Sequence, residues 1–572
     1  MGTTSSWTSR SYWPAKGFAA LFDYAATSHR RAVAALVLIS LLAFLPGFFQ
    51  IAPVDRDEAY FAQATKQMIE TGDYVDIRYQ DDVRYRKPVG IYWLQAAVVN
   101  VASALGVPDA LTKIWLYRIP SLLGAIGAVL ATYWCALAFV SRRGAVLSAL
   151  MMAVSTILGV EARLAKTDAV LLFTIVVAMS VLARVYLAPH RGTARPGIGL
   201  LGVFWTALAA GILVKGPLIL MVVGLAAATL SILDRSARWL MALRPFAGVA
   251  WLFLLVLPWF IAIFVRVGSQ FLVASVGEDM LAKVAGAQES HGAPPGLYVV
   301  LFFATFFPAS MLAGLAAPAV WAVRREPAAR FLLAWLVPSW IVFELVVTKL
   351  PHYVMPLYPA IAILIAGAVE TKVLSRRPWM VRGTMWWFLV PVIISIVAII
   401  AAIVIDRDMV LLAWPFFAAA IVGGLFAWQL YDDDGAERAF TRAAEASVLM
   451  AFGMYGVVLP SLTPAFPSVE LAQVLHQSGC RDPIAASTAY QEPSLVFLAG
   501  TKTRFIDADG AADFLHGGSC RFAFIDAPQE REFALRAEAI GLRYTRGPRI
   551  DGYNIAVGKP VSIAVFQSSA AP

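Results

Sequence analysis

Charged residues are scarce in this sequence. Only 15% of the 572 residues are Asp, Glu, Lys or Arg, whereas 60% are hydrophobic, and the mean hydropathy is +0.71. Soluble globular proteins carry about 25% charged residues, so the composition excludes a conventional soluble enzyme. The apolar runs extend over ~16–22 residues without alternation, which is typical of spanning helices and not of a membrane β-barrel. We therefore predict a polytopic α-helical membrane protein.

Familiar catalytic motifs are also missing. The sequence has no P-loop, no zinc-protease motif and no nucleophile elbow, so ATP-driven transport and common hydrolase chemistry have no support. It lacks paired broken helices with mid-span ionisable groups, which argues against a secondary transporter. We attribute the net charge of +9 to Lys and Arg in cytoplasmic loops, and we expect no nucleic-acid partner.

Thirteen apolar segments are predicted to span the membrane. If 91–107 lies on the membrane surface, alternate connections hold 21 Lys and Arg on one side, and the short connections on the other side hold 7. The positive-inside rule then places the N-terminus in the cytoplasm. The segments are 32–52, 115–140, 145–160, 169–188, 198–214, 217–233, 246–265, 296–321, 331–347, 354–369, 384–405, 409–430 and 446–462.

Two regions of ordinary polarity are predicted outside the membrane. Residues 1–462 form the transmembrane domain, and its outer loop 53–114 reads as short helices, one in DEAYFAQATKQMIETG and one on the membrane surface. Residues 463–572 combine helical patterns (VELAQVLHQSG, EREFALRAEAIG) with strand patterns (RFAFID, VSIAVFQ). This alternation predicts a small α/β domain after the last span.

Three acidic residues follow the first span in PVDRDEAYFAQ, namely Asp55, Asp57 and Glu58. A single acid would be enough to cap the following helix. The surplus indicates a function beyond capping. We predict a catalytic role for Asp57, and substrate contacts for Asp55 and Glu58.

A basic cluster follows in VRYRKPVGIYW, on the side of the membrane that otherwise carries little positive charge. Arg84, Arg86 and Lys87 lie within four residues, with Tyr85 between them. The cluster could bind anionic lipid headgroups or form a dedicated phosphate site, in which Lys is a point charge and Arg a bidentate donor. We favour the phosphate site, with Lys87 catalytic and the other three residues binding substrate.

The remaining outer loops contribute further ionisable groups. EARLAKTDAV holds Asp168, our second predicted catalytic carboxylate, and an internal salt-bridge network is the alternative explanation for its charges. Taken together, acids and bases from five loops on one face predict a site for an anionic, phosphorylated ligand. The other predicted substrate-binding residues are Lys215, Lys283, Lys349 and Tyr353.

A divalent metal is a further possibility at this face. His291 and His352, with an acid such as Glu278, offer ligands for zinc or manganese. The alternative is that these are hydrogen-bonded loop histidines. We expect that no cofactor is required.

The order of these motifs resembles a known family. D-E with a nearby aromatic, M-I-E-T-G-D-Y, R-K-P-V-G-I-Y-W, the Asp of A-K-T-D-A-V, V-K-G-P and K-L-P-H-Y-V-M-P-L-Y-P-A together resemble the GT-C glycosyltransferases that use lipid-linked sugars. The similarity extends over about 50–370. Within that superfamily it is strongest to the bacterial undecaprenyl-phosphate 4-amino-4-deoxy-L-arabinose transferases, which modify lipid A.

The resemblance implies a function and a location. The donor would be a sugar on undecaprenyl phosphate and the acceptor a lipid A phosphate, at the periplasmic face of the bacterial inner membrane, giving resistance to polymyxin and cationic peptides. Lys87 would stabilise the leaving phosphate, and Asp57 would orient the acceptor, in a protein expected to act as a monomer. Two alternatives stay open: transfer to protein or another glycan, as in O-mannosyltransferase-like enzymes, and a polyprenyl-phosphate flippase or binding protein.

The sequence also predicts one disulfide bond. Of three cysteines, Cys135 lies within a span, whereas Cys480 and Cys520 lie in the outer domain. The predicted topology places this domain outside the cytoplasm, in an oxidising compartment where disulfides persist. Each of the two follows a glycine-containing turn and precedes an extended segment, which suggests neighbouring strand starts. The alternative is a pair of buried free thiols.

Overall fold

The protein is a helical bundle followed by a mixed α/β domain. The computed structural model describes residues 17–194, 196–273, 292–406 and 410–568. The described α-helices of six residues or more before residue 463 are α1 (Phe18–Ala26), α2 (His29–Phe44), α3 (Asp57–Thr71), α4 (Gly90–Ala104), α5 (Ile114–Ala136), α6 (Arg142–Ala153), α7 (Thr156–Glu161), α8 (Asp168–Arg191), α9 (Ile198–Lys215), α10 (Leu218–Leu233), α11 (Pro245–Val267), α12 (Leu297–Thr305), α13 (Ser310–Ala322), α14 (Pro327–Leu345), α15 (Tyr358–Glu370), α16 (Trp386–Ile405), α17 (Trp414–Gln429) and α18 (Ala436–Ala451).

The bundle is built from apolar helices of membrane-spanning length. Within the described ranges, eight helices are long and apolar enough to cross a membrane, and nine if the bent pair α12–α13 counts as one span. Leu218–Leu233 and Met355–Glu370 are shorter apolar helices. The multi-pass helical fold predicted from the hydropathy is therefore present, while thirteen spans remains a prediction.

Two predicted segments are not continuous helices. Segment 145–160 breaks after α6, and Ser155 caps α7 by accepting a hydrogen bond from the backbone N–H of Leu158 at 3.4 Å. Segment 296–321 consists of α12 and α13, whose axes differ by 120°. Pro308 lies in that break, and proline cannot donate the backbone hydrogen bond that a continuous helix requires.

The loop 53–114 is folded. Helix α3 ends at Gly72, whose φ of 71° is a left-handed conformation that glycine adopts without a Cβ penalty. A two-strand hairpin, β1 (Arg78–Tyr79) and β2 (Asp82–Val83), separates α3 from α4. Trp93, Leu94 and Val101 are exposed on α4, which suits the predicted position on a membrane surface.

The C-terminal domain is a five-stranded sheet with helices. Strand order is β4-β3-β5-β7-β6, with β4, β3 and β5 parallel and β7 antiparallel to both neighbours. Strand β5 coincides with the predicted RFAFID segment. The strands are β3 (Ile484–Ser487), β4 (Arg504–Phe505), β5 (Arg521–Asp526), β6 (Tyr544–Asn554) and β7 (Lys559–Ser568), and the helices are α19 (Pro467–Gln477), α20 (Pro493–Ala499), α21 (Ala508–His516) and α22 (Glu530–Ala539).

A disulfide joins the starts of two neighbouring strands of this sheet. Cys480 and Cys520 are bonded, with their Cα atoms 5.8 Å apart. Cys520 directly precedes β5, and Ile484 of β3 pairs with Arg521 of β5 in parallel register. The strand starts lie side by side, as the repeated sequence context suggested. Cys135 is a buried free thiol.

The C-terminal domain packs on the loop 53–114 through α20. Lys66 of α3 donates a hydrogen bond to the carbonyl oxygen of Phe497 at 2.8 Å, and burial lowers the pKa of Lys66. The Phe497 ring lies 5.2 Å from that of Tyr117 in an edge-on arrangement. Gln63 donates to the hydroxyl of Thr501 at 2.8 Å. The loop and the domain therefore lie on the same face of the helical bundle.

Candidate active site

Close backbone packing brings two of the predicted phosphate-binding segments together. Gly90 follows the K-P dipeptide that begins at Lys87, and a Cβ at Gly90 would lie 2.7 Å from the carbonyl oxygen of Leu213, two residues before Lys215. Only glycine permits this approach without a shift of backbone. The segments that carry Lys87 and Lys215 are therefore neighbours at the end of α9.

A line of alternating acids and bases starts at the first residue of α3. Asp57 begins α3, and its side chain is 57% exposed. One Asp57 carboxylate oxygen lies 3.9 Å from Nζ of Lys166, and this ammonium lies 3.5 Å from Oε1 of Glu161. Lys166 and Glu161 are buried. Lys166 thus connects an exposed carboxylate with a buried one.

The same line continues through a histidine to the second predicted carboxylate. Nδ1 of His352 lies 3.4 Å from Oε1 of Glu161, and Nε2 lies 3.5 Å from Oδ1 of Asp168. Lys215 donates a hydrogen bond to the same Asp168 oxygen, and its Nζ lies 5.5 Å from the centre of the Tyr353 ring. We refer to these six residues as the acid–base chain: Asp57, Lys166, Glu161, His352, Asp168 and Lys215.

Glu58 belongs to a different network from the acid–base chain. The sequence predicted a substrate contact, but Glu58 is 1% exposed and forms a bidentate pair with Arg118, both contacts at 2.8 Å. Its two oxygens also accept the backbone N–H groups of Ala165 and Val54 at 2.8 and 2.9 Å. Charge-assisted bidentate bonds are among the strongest available in a protein. Glu58 therefore fixes the positions of the two chain segments that carry Asp57 and Asp168.

Arg118 completes this network from within α5. Its guanidinium is fully buried and donates to the carbonyl oxygens of Phe48, Ile51 and Ala52 at 3.1, 2.8 and 3.0 Å. These carbonyls lie where the chain leaves the first span. Arg118 was not singled out from the sequence, although an arginine inside an apolar segment is itself a signal, because isolated charges at that depth are costly.

Two members of the basic cluster shape the loop. The Arg84 guanidinium stacks 4.2 Å from the centre of the Tyr60 ring, and Tyr85 donates its hydroxyl hydrogen to Asp76 at 2.7 Å. Both residues are buried, and their substrate contacts stay a prediction. Arg86 is exposed, and Lys87 donates to the carbonyl oxygen of Arg86 at 3.0 Å. Arg86 and Lys87 are less buried than Arg84 and Tyr85, and their phosphate contacts stay a prediction.

Asp55 and Lys349 also have contacts that differ from the prediction. Asp55 accepts a hydrogen bond from the backbone N–H of Ser494 at 2.9 Å, and burial beside Glu492 raises the pKa of Asp55 to about 7. It therefore faces the C-terminal domain. Lys349 is buried and donates to the carbonyl oxygens of Glu344 and Val346 at the end of α14, where a cation suits the helix dipole.

The structure places one predicted metal ligand, His352, beside two carboxylates that were not predicted as metal ligands. His352 lies with Glu161 and Asp168, and one ligand atom from each lies within 4.8 Å of the others. This is a set of hard ligands that could suit zinc or manganese. The predicted partners Glu278 and His291, together with the predicted substrate-binding residue Lys283, lie outside the described residues.

The sequence motif already contained the missing members of the acid–base chain. Glu161 and Lys166 are part of EARLAKTDAV, where the charges suggested either a site or an internal network. The structure brings both explanations together, because the network is internal and yet reaches the exposed Asp57. The fourth charged residue, Arg163, instead donates to backbone carbonyls, among them that of Pro46 at 2.9 Å.

The sequence and the fold are both similar to known glycosyltransferases. A family model described as dolichyl-phosphate-mannose-protein mannosyltransferase matches residues 34–272. The fold superimposes on ArnT from Cupriavidus metallidurans with a TM-score of 0.71 at 18% identity, covering 94% of this chain and 99% of the other, for both the apo form and the form bound to undecaprenyl phosphate. This chain is therefore similar in sequence, over residues 34–272, to a glycosyltransferase family that uses a lipid-linked sugar, and it is similar in fold to ArnT.

Curated relatives narrow the resemblance within the GT-C group. The undecaprenyl phosphate-alpha-4-amino-4-deoxy-L-arabinose arabinosyl transferase of Pseudomonas paraeruginosa is 28% identical over 355 residues, which is 60% of this chain. The corresponding enzyme of a Pseudomonas aeruginosa strain is 26% identical over 351 residues. The alignment spans 62% of the length of each of these relatives. The GT-C resemblance inferred from the motifs is thereby confirmed.

Proposed function

We propose that this protein transfers 4-amino-4-deoxy-L-arabinose from undecaprenyl phosphate to phosphate groups of lipid A. The transfer takes place at the periplasmic face of the bacterial inner membrane. Adding this amino sugar makes lipid A less negative, which weakens binding of polymyxin and cationic peptides. The support for the donor is the set of curated relatives named as undecaprenyl phosphate-alpha-4-amino-4-deoxy-L-arabinose arabinosyl transferases, together with the ArnT structure bound to undecaprenyl phosphate.

The acid–base chain is the observation that carries the proposal. It places an exposed carboxylate, Asp57, and a buried one, Asp168, at separate points of one connected network. Lys215 ends the network beside the Lys87 segment. Sugar transfer from a lipid phosphate needs cations for the departing phosphate and a carboxylate at the acceptor, and this arrangement offers both.

Each group has a defined part in the reaction. Lys87 and Lys215 stabilise the negative charge that develops as the bond from the sugar to undecaprenyl phosphate breaks. Asp57 orients the acceptor phosphate or takes its remaining proton. Because that phosphate is already anionic, it needs positioning more than a strong base. Attack from the face opposite the leaving phosphate inverts the anomeric carbon.

The C-terminal domain belongs on the acceptor side in this proposal. It packs against the loop 53–114 through the bonds of Asp55 and Lys66, and that loop carries Asp57 and Lys87. The donor enters from the bilayer below α4, whose exposed apolar residues face the lipid, and Tyr353 flanks Lys215 as a further phosphate contact. The proposed unit is a monomer.

Mass spectrometry of lipid A tests the proposal directly. Lipid A is extracted from cells that lack the gene and from the same cells supplied with the wild type, with Asp57→Asn or with Asp82→Asn. Asp82 is an exposed acid of the same loop, so it controls for loss of charge. We expect the aminopentose to appear with the wild type and Asp82→Asn only. Unmodified lipid A in wild-type cells would reject the proposed acceptor and sugar.

Transfer to a protein acceptor is the second candidate. It is favoured by the protein mannosyltransferase model that matches residues 34–272. Glycoproteomic comparison of the same strains separates the two functions, since an O-linked sugar lost from secreted proteins on deletion, with lipid A unchanged, would favour the second. A flippase is tested by the same variants, because flipping does not require the Asp57 carboxylate.

A further inference from the structure

We propose that His352 is a positioning residue that holds the Asp168 carboxylate in its reactive orientation by tying it to Glu161. This inference rests on the proposed glycosyl transfer and adds a residue to its machinery. The supporting geometry is a bridge, with one imidazole nitrogen 3.4 Å from Glu161 and the other 3.5 Å from Asp168. A rigid ring between two carboxylates fixes both at once.

The surroundings of His352 favour a fixed orientation. It is 8% exposed, and Glu161 and Asp168 are 2% and 5% exposed. The imidazole ring packs edge-on against Tyr353, with ring centres 5.1 Å apart. Packing on one side and polar contacts on two others limit rotation of the imidazole. A side chain locked in this way can orient a neighbour that touches the substrate.

Asp168 needs such a support because of where it lies. It is the first residue of α8, and its preceding residue, Thr167, provides no side-chain cap for the helix. Oδ1 of Asp168 already receives the hydrogen bond from Lys215. With His352 at the same oxygen, two donors from two different segments define its position. Without the contact to His352, the Asp168 carboxylate is held only by Lys215, whose long side chain can change its conformation.

Charge balance favours positioning over a metal site. Glu161 and Asp168 carry two negative charges, and Lys166 and Lys215 carry two positive charges within 3.5 Å of them. An imidazole offers an N–H to each of two carboxylates only when it is protonated, so the bridge requires His352 in its charged form. The acid–base chain is then neutral, with three carboxylates against two ammonium groups and one imidazolium. A divalent cation among these ligands would face two ammonium groups in a buried place, where like charges repel strongly.

Glu161 supplies the fixed end of the bridge. It lies at the last residue of α7, and Lys166 approaches its Oε1. Among the described residues, its other oxygen, Oε2, has no hydrogen-bond partner. A buried carboxylate oxygen without a hydrogen bond makes folding less favourable, so we expect a functional reason for the presence of Glu161. Holding His352 toward Asp168 is such a reason.

Two amide substitutions separate the two ends of the bridge. The amide nitrogen of His352→Asn falls near the position of Nδ1 and keeps the contact to Glu161. The amide of His352→Gln reaches the position of Nε2 and keeps the contact to Asp168. Turnover of the lipid-linked donor is measured for both variants in purified full-length protein, with His516→Asn, an exposed histidine of the C-terminal domain, as the control.

We expect His352→Asn to lower kcat by about 10- to 100-fold, the range seen when a residue that orients a functional side chain is lost. The KM for the donor should change by less than about threefold. His352→Gln should recover part of kcat, because it keeps the contact to Asp168 and loses the support from Glu161. Three outcomes would overturn the inference: the same loss of kcat in both variants, a wild-type kcat in both variants, or a rise in KM without a change in kcat. So would wild-type turnover that is abolished by EDTA and restored by a divalent metal. An inactive wild type overturns the proposed function and this inference together, whereas the other results overturn this inference alone.

Discussion

The charged residues of this site divide into those that meet solvent and those that are held inside. Asp57 is more than half exposed, whereas Lys166, Glu161 and Asp168 are buried within hydrogen-bond reach of opposite charges. Buried charges are tolerated only when paired. The exposed Asp57 is therefore the member of the network with room to change partners, as its proposed contact with the acceptor requires.

Lys87 should be the cation on which turnover depends most. Replacing it with Ala removes a charge that is worth most as the phosphate departs, so kcat should fall by about 100- to 1,000-fold. The measurement is the rate of sugar transfer in purified, normally folded protein. Lys113→Ala removes an exposed lysine from the same loop and should leave the rate unchanged. A Lys87→Ala variant with wild-type kcat would remove Lys87 from the leaving-group site.

At the residue level, the sequence grouped charges that lie close together in one motif and missed contacts between distant parts of the chain. The sequence grouped the charges of EARLAKTDAV, but it could not show that His352 bridges Glu161 and Asp168, because 184 positions separate His352 from Asp168. It also predicted a catalytic role for Asp57 and substrate contacts for Asp55 and Glu58. Only the folded chain shows that Glu58 pairs with Arg118 and that Asp55 meets Ser494.

The helix α20 is the element through which the C-terminal domain meets the outer loop. Its first turn meets Asp55, its Phe497 packs on Tyr117, and the carbonyl of Phe497 accepts the Lys66 ammonium. Polar and apolar contacts thus meet on one short helix. Docking of the domain is expected to respond to the protonation of Asp55, since that carboxyl is held beside a second acid, Glu492.

The stability of this interface should depend on pH between about 4 and 7. Burial raises the pKa of Asp55 from 3.8 to about 7, so the folded protein binds a proton more tightly than the unfolded chain. The resulting stabilisation is full below pH 4 and is lost as pH rises through 7. Asp55→Asn should remove this part of the pH dependence and stabilise the protein at pH 8. Thermal unfolding at pH 5 to 8 checks this, and identical pH profiles for wild type and variant would contradict it.

The disulfide is the second element-level constraint, because it closes a loop that contains β3, α20 and α21. The cysteines are 40 positions apart, so loop-closure entropy gives about 3–4 kcal/mol of stabilisation. Thiol counting in denaturant without reductant should find one thiol, that of Cys135. Cys480→Ser with Cys520→Ser should lower the midpoint of unfolding of the domain. Three titratable thiols in the wild type would reject the bond.

The fold class of the whole molecule was easier to predict from the sequence than the breaks in its helices or the docking of its C-terminal domain. Hydropathy predicted the helical membrane fold, because membrane insertion depends on local apolar length. The outer position of the loop 53–114 stays a prediction from loop charge. The breaks at Ser155 and near Pro308 were missed, since an apolar segment of sufficient length reads as one span whether or not it bends. The contacts of the C-terminal domain with Gln63 and Lys66 could not be predicted from hydropathy, because hydrogen bonds between distant parts of the chain do not change the hydropathy pattern.

The orientation of the molecule is tested with reporters. The 21-to-7 distribution of Lys and Arg predicts that the N-terminus is cytoplasmic and that the C-terminal domain lies outside. A reporter that functions only outside should be active when fused after residue 568 or inserted near Asp82, because the loop and the domain lie on one face. Activity of a cytoplasm-only reporter at either position would contradict this orientation.

Release of undecaprenyl phosphate from the sugar donor tests the enzyme assignment most directly. Purified protein is incubated with undecaprenyl phosphate carrying 4-amino-4-deoxy-L-arabinose, with and without lipid A, and both lipid products are quantified by mass spectrometry. We predict that free undecaprenyl phosphate and sugar-bearing lipid A form in equal amounts only when lipid A is present, with loss of at least about 100-fold in Asp57→Asn and none in Asp82→Asn. If folded wild-type protein releases no undecaprenyl phosphate from this or any other lipid-linked sugar, or if Asp57→Asn reacts at the wild-type rate, the protein does not work as described.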